Sequence, residues 1–351
     1  MIRAAIISNF KGIKNADIND LSSVNLFIGK NNACKSTILE ALYYAIKEVT
    51  GASLTDLIGR RTDIPSSARE LWYNYETRSP IQVLLSYGDL VINFNILFED
   101  NRIIRSSSEL RSKLGSASVY SRRRDYSSDS TDGLRSYISS TTGSQLETLS
   151  NNITDYSQNS CLIDSSIRKD VRATESLLGK LKLDGRSEEF GEYLENIFGT
   201  GKHWEFLPSI ENPDTYRAAI MVEGKPLFFS GLGDGIRYGL QIVGKTMDTK
   251  NSAVYIEEIE SHQHPEALKK IIPFLVELAL KNKSQLFITT HSPLVWTIFE
   301  KEFETEESRR VAFRCYHVKR ETKNGAVSCT LQTKANADEF FSEVHKDLFG
   351  K

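Results

Sequence analysis

Gly29-Lys30-Asn31-Asn32-Ala33-Cys34-Lys35-Ser36-Thr37 is the stretch that decides the fold of this chain. It follows a strand-like run, Val24-Asn25-Leu26-Phe27-Ile28, and opens a helix-like one, Thr37-Ile38-Leu39-Glu40-Ala41-Leu42. Strand, tight loop and helix in that order form a phosphate-binding loop. Amides at a helix N-terminus point at the anion, and the helix dipole favours negative charge there. In this reading the run from Gly29 through Asn31, Asn32, Ala33 and Cys34 to Thr37 cradles the phosphates of ATP. Lys35 reaches the β- and γ-phosphates, and the Ser36 hydroxyl ligates Mg²⁺. The pattern G-x-x-x-x-G-K-[ST] calls for glycine where this chain has Cys34. Three consequences stay open: a small side chain that fits with modest strain, weakened nucleotide binding, or a thiol whose pKa is lowered at the helix N-terminus. A degenerate loop that binds nothing is the alternative to all three.

Working outward, Ala253-Val254-Tyr255-Ile256-Glu257-Glu258 is a short apolar run ending in two acids. A buried parallel strand delivers carboxylates to a nucleotide site in this way. Glu257 is then a Mg²⁺ ligand, directly or through water, and Glu258 orients and polarises the attacking water. A solvated helix start is the plainer alternative. Ser284 to Pro293 forms another strand pattern ending in Thr290-His291-Ser292. His291 is placed to donate a hydrogen bond to the γ-phosphate or to the attacking water, or else it is structural. Phe228 to Gly235 sets glycines before a helix-like run, either a second anion-binding N-terminus or an ordinary turn.

In order, these segments resemble the ABC-type ATPase heads of the RecF, SMC and OLD-like (AAA-15/AAA-21) family. Ile6-Ile7-Ser8-Asn9-Phe10-Lys11-Gly12-Ile13 resembles their first strand, and Gly29 to Thr37 their Walker A except at Cys34. Ser230 to Gly235 resembles the signature motif, and Ala253 to Glu258 Walker B, with Glu257 where aspartate is commoner. Glu260 to Pro265 resembles the stretch after Walker B, and Thr290 to Pro293 the H-loop. The resemblance covers roughly residues 1–100 and 203–300, and the joint order is more specific than any one motif. It implies an α/β P-loop NTPase fold, an ABC-ATPase-like head with a flanking antiparallel β-sheet and an inserted, mainly helical lid. It also implies a homodimer in which each ATP lies between the Walker motifs of one head and Ser230, Gly233 and Gly235 of the other. ATP affinity and head affinity are then thermodynamically coupled.

Composition agrees with a globular protein: 40% hydrophobic and 26% charged residues in 351. A net charge of −2 excludes a uniformly basic coat but not a local basic patch. The four cysteines, Cys34, Cys161, Cys315 and Cys329, show no C-x-x-C spacing, which points to thiols in a reducing cytoplasm. No signal peptide is evident, and no apolar run is long enough to cross a bilayer.

Along the chain, Ile81 to Phe98 reads as a hairpin broken at Gly88-Asp89. From about Arg105 to Ser160 the chain is serine-rich and loses periodicity, and is expected to be poorly ordered with short helices. Helical patterns return from Ser165 to Phe198. Residues 1–100 and 203–351 are expected to form the head, and 101–202 the inserted lid or arm. Strands are expected near 203–208, 216–221, 225–229, 310–318 and 326–332, with helices at 265–282 and 337–349. The Toprim nuclease domain of several OLD-type relatives is missing, so a nuclease or toxin effector is expected to be a separate protein. Arg122-Arg123-Arg124 leaves open DNA phosphates or a solvated loop offset by Asp125, Asp129 and Asp132. Two function classes result: an ATPase head coupled to DNA-related work or genome defence, and a slow or non-hydrolysing scaffold that recruits an effector.

Overall fold

A computed structural model describes residues 1–51, 68–99, 102–112, 118–125, 134–138, 144–209, 212, 214–304, 312–321, 324–332, 342 and 346. Of the expected helix at 337–349, only residues 342 and 346 are described, and both are helical; the rest lies outside the described residues. One sheet organises the molecule. Its strands run in the order β8-β7-β6-β5-β4-β1-β2-β16-β15-β3-β14-β13-β9. The parallel wing comprises β3 (Val24–Ile28), β14 (Gln285–Thr290), β13 (Ala253–Ile256) and β9 (Cys161–Ile163), with β15 (Phe313–Arg320) parallel to β3 on its other side. β16 (Ala326–Gln332) is antiparallel to β15 and parallel to β2 (Ile13–Ile18). The antiparallel wing runs through β1 (Ile2–Phe10), β4 (Ile81–Tyr87), β5 (Leu90–Glu99), β6 (Arg102–Ser112), β7 (Ser118–Asp125) and β8 (Leu134–Ile138).

The central strands β3, β13 and β14 are buried at every residue, as expected of parallel strands covered on both faces. Their alternation sorts two cores. Phe27, Tyr255, Phe287 and Tyr316 face α1 (Lys35–Lys47). Val24, Leu26, Ile28, Val254, Ile256, Leu286 and Ile288 face the other side. On that side lie α3 (Val171–Leu183), α4 (Ser187–Phe198), α5 (Asp234–Asp248), α6 (Pro265–Lys281) and α7 (Pro293–Glu304). The aromatic row stacks across the strands: Tyr255 and Phe287 centroids are 4.8 Å apart, Phe27 and Tyr316 5.2 Å.

The hairpin at β4–β5 turns at Gly88, as read from the sequence. A small sheet, β10 (Trp204–Pro208), β11 (Tyr216–Val222) and β12 (Lys225–Phe228), turns at Glu223-Gly224, both with left-handed φ. The serine-rich stretch departs from expectation. It supplies β6, β7 and β8, which extend the antiparallel wing, and then α2 (Ser144–Asn159). Serine is a poor strand signal, and cross-strand pairing with β5 overrides it. Arg122, Arg123 and Arg124 therefore lie on a paired strand, not a loop.

Candidate nucleotide site

Three parallel strands end at one sheet edge, and each contributes a loop. β3 leads into the Walker A run, β13 into Glu257-Glu258, and β14 into His291. Asn31, Asn32, Ala33, Cys34, Lys35, Ser36, Thr37, Glu257, Glu258 and His291 line one cavity of about 490 Å³, together with Gly12. That volume lies within the range of ligand pockets. Gly29 sits beneath the loop, buried, with its carbonyl turned to Lys35.

Cys34 is the N-cap of α1 at φ 70°, ψ 19°, with no side-chain capping bond. This is the left-handed region that glycine enters freely and that costs an L-residue about 1–2 kcal/mol. The first intrahelical bond runs from the Ile38 amide to the Cys34 carbonyl at 2.9 Å. The amides of Lys35, Ser36 and Thr37 thus have no acceptor within the helix and belong to residues that line the cavity. The site fits a polyphosphate on this ground. The Cys34 side chain is accommodated by the turn between β1 and β2: a Cβ on Gly12 would come 2.8 Å from the Cys34 Sγ. Of the three consequences left open for Cys34, the lowered thiol pKa is corrected. Burial pushes it up, outweighing Arg320 and Lys35.

The Lys35 ammonium donates to the carbonyls of Gly29 at 2.8 Å and Lys30 at 2.9 Å. Burial lowers its pKa, while Glu258, Glu260, Cys34 and Glu257 act in the opposite direction. Lys11, whose pattern neighbours Phe10 and Gly12 both pack inward, pairs with the buried Glu40 of α1 at 2.9 Å.

The acidic side is laced to β14. Glu258 has φ 47°, its amide donates to the Thr289 Oγ1 at 2.9 Å, and its carboxylate accepts from the Ser261 hydroxyl at 3.2 Å. The Ile259 amide donates to the Thr289 carbonyl at 3.3 Å. A left-handed acid held by its surroundings is the kind of strain that gathers at functional sites. The Glu257 carbonyl accepts from Tyr238 at 2.6 Å, and its amide donates to the Ile163 carbonyl at 2.9 Å.

Ser230, Gly233 and Gly235 do not line this cavity. Gly233 is the exposed N-cap of α5. Gly235 lies against the turn after the acids: a Cβ there would fall 2.5 Å from the His262 carbonyl, and Gln263 donates to the Gly235 carbonyl at 2.7 Å. Asp234 pairs with Arg168 at 3.1 Å and with Arg237, and these contacts hold its pKa down. His264 caps α6 by accepting from the Glu266 amide at 3.2 Å. Among the described residues no group of three or more His, Cys, Asp or Glu forms a metal cluster. No described helix is long and apolar enough to cross a membrane.

Sequence reading missed Gly12, Tyr238, Thr289 and Glu260. Gly12 and Glu260 stood inside quoted motifs, yet nothing in spacing says that one faces Cys34 and the other His291. Tyr238 lies on α5, and only packing brings it to Glu257.

A phosphate loop, paired acids and a histidine at the ends of adjacent parallel strands, beside an antiparallel wing, define a P-loop NTPase head of the ABC type. The chain matches the AAA_15 model, AAA ATPase domain, over residues 1–180 and 66–295, and it belongs to that family. It is similar to an "ATP/GTP phosphatase" of Helicobacter pylori, 24% identical over 345 residues, covering 86% of this chain and 90% of the relative. A shorter likeness, 44% over 54 residues, joins it to "Uncharacterized protein MJECL10" of Methanocaldococcus jannaschii, covering 15% of this chain and 25% of that one. In fold it is similar to an Smc head crystallised with the C-winged helix domain of ScpA. The TM-score is 0.51 at 14% identity, covering 96% of this chain and 99% of that one.

Proposed function

We propose that this chain binds and hydrolyses ATP, and that Glu258, His291 and Lys35 act on the reacting phosphate. The observation that carries the reading is that Lys35, Ser36, Glu257, Glu258 and His291, drawn from three separate loops, line one cavity. The Helicobacter pylori relative's description as an ATP/GTP phosphatase supports it. Lys35 neutralises charge on the β- and γ-oxygens. Glu258 accepts a hydrogen bond from the attacking water and aims it. Ser36 and Glu257 would hold Mg²⁺, since one carboxylate and one hydroxyl beside substrate phosphates suit that ion. Bound there, the metal would supply Lewis-acid neutralisation of developing phosphate charge.

Phosphate release by wild type and Glu258→Gln tests this. Glu258→Gln is expected to keep ATP binding, to slow turnover about a hundredfold or more, and to trap a dimer visible by light scattering. Lys35→Ala is expected to abolish nucleotide binding; unchanged affinity would refute the phosphate-loop assignment. Chelating Mg²⁺ is expected to stop turnover.

The exposed Gly233, with Ser230 and Gly235, would complete the site in trans, so that ATP joins two heads. Residues 1–100 with 203–351 would act as the head and 101–202 as the lid or arm. The work coupled to turnover is DNA-related or genome defence, with a separate nuclease or toxin effector, in the cytoplasm. A slow or non-hydrolysing scaffold is the second reading, and Cys34 in a left-handed position favours it. Equal, negligible turnover in wild type and Glu258→Gln would select it.

A further inference from the structure

We infer that Glu260 is the positioning residue for His291, an assignment that rests on the hydrolysis reading above. One carboxylate oxygen of Glu260, Oε1, accepts the His291 main-chain amide at 2.7 Å. The same oxygen lies 3.0 Å from the His291 ring Nδ1. The ring N–H is not aligned with it, so Nδ1 of His291 and Oε2 of Glu260 are both shut from solvent without a hydrogen-bond partner.

Two such orphans side by side need a reason. Each unsatisfied buried polar group costs about 1–3 kcal/mol, and native structures hold few of them. A small rotation of the imidazole would let Nδ1–H donate to Oε1, which already lies 3.0 Å away. Hydrogen bonds of catalytic groups are commonly loose without substrate and tighten in the complex. The Glu260 side chain is 11% exposed and that of His291 43%. Since Nδ1 is sealed, the open edge of the ring is the opposite one, which carries Nε2, and His291 lines the cavity with Glu258 and Lys35.

A carboxylate at one ring nitrogen fixes the tautomer and aims the other. Here Nδ1–H donates to Glu260, and Nε2 is presented to the reacting phosphate or its water. Because the same oxygen holds the main-chain amide, Glu260 sets both the place of residue 291 and the direction of its ring. Glu258 is secured separately, through Thr289 and Ser261. Glu258 and Glu260 thus have different tasks, one toward water and one toward histidine. A plainer role, in which Glu260 only ties down the turn between β14 and α7, predicts no effect that depends on the His291 ring.

The test uses the full chain. In ¹⁵N-histidine spectra without nucleotide, His291 of wild type is expected as the Nδ1–H tautomer, assigned by loss of its signals in His291→Ala. Glu260→Leu is expected to move it to Nε2–H. Glu260→Gln, which keeps an acceptor oxygen and preserves volume, is expected to retain Nδ1–H and serves if Glu260→Leu does not fold. In phosphate release, Glu260→Leu is expected to lower kcat about tenfold to a hundredfold with KM unchanged. In the His291→Ala background the same change is expected to cost less than about twofold more. An unchanged tautomer in Glu260→Leu, or additive losses in the double variant, overturns the assignment. If wild type releases no phosphate, the hydrolysis reading falls, and the tautomer measurement still decides whether Glu260 positions His291.

Discussion

The two wings of the sheet bury themselves in different ways. In the parallel wing every residue of β3, β13 and β14 is covered, because helices pack on both faces. In the antiparallel wing burial alternates: Ile92, Phe94 and Ile96 of β5 face the core, while Asn93 and Asn95 stand outward. Parallel strands that share a direction bring their C-terminal ends to one edge, so the doubly buried wing also carries most of the residues that line the candidate site. The half-buried wing contributes support. Its β1–β2 turn meets the site at Gly12, and Lys11 pins α1 through Glu40.

The comparison can be broken first in the doubly buried wing. Phe287→Ala, a fully buried ring stacked on Tyr255, is expected to cost about 3–5 kcal/mol in denaturant unfolding. A loss under about 1 kcal/mol, the scale of a volume-conserving swap, would mean that the aromatic row is not packed as described. Glu258→Gln should spare stability and slow phosphate release about a hundredfold, which is about 2.7 kcal/mol of barrier.

The seam between the wings comes next. Gln285 of β14 is fully buried and bonds both to Ile2 of β1 (2.9 and 2.8 Å) and to Tyr156 of α2 at 2.7 Å. Gln285→Leu leaves these groups unpaired and should destabilise by about 2–3 kcal/mol, read by urea midpoint. A smaller seam joins Gly12 to Cys34. Gly12→Ala is expected to cost about 1 kcal/mol in wild type, because the new methyl meets Sγ, and almost nothing in Cys34→Gly. Cys34→Gly itself should change stability little. Relief of about 1–2 kcal/mol of backbone strain is offset by chain entropy and lost side-chain burial. A change in turnover in that variant would therefore report on the loop. On the half-exposed face of β5, Asn93→Thr removes a carbonyl that accepts from Gln82 at 3.1 Å and Asn95 at 3.0 Å, and should cost about 1 kcal/mol, well below the loss at Phe287.

Much of the site was legible because its residues are carried by local patterns. An apolar run bounded by Gly29 to Thr37, another ending in Glu257-Glu258, and a third ending in His291 are each readable within a dozen residues. The serine-rich strands were not legible. β6, β7 and β8 lack the β-branched and aromatic alternation that marks a strand, and their pairing is dictated by an edge that β5 offers from elsewhere in the chain. Glu260 was quoted as part of a motif, yet its contact with His291 spans 31 positions and leaves no trace in spacing.

The order of residues alone determined that a phosphate-loop pattern carries Lys35 and that acids stand at the end of a buried strand, since both follow from period, polarity and turn chemistry over short distances. Tertiary structure decided how those pieces meet. It set a left-handed cysteine on a glycine from another turn, joined the acids to β14, and turned a polar stretch into sheet. Such contacts arise from packing and closure between distant segments, and local sequence does not encode which distant surface will come to rest against it.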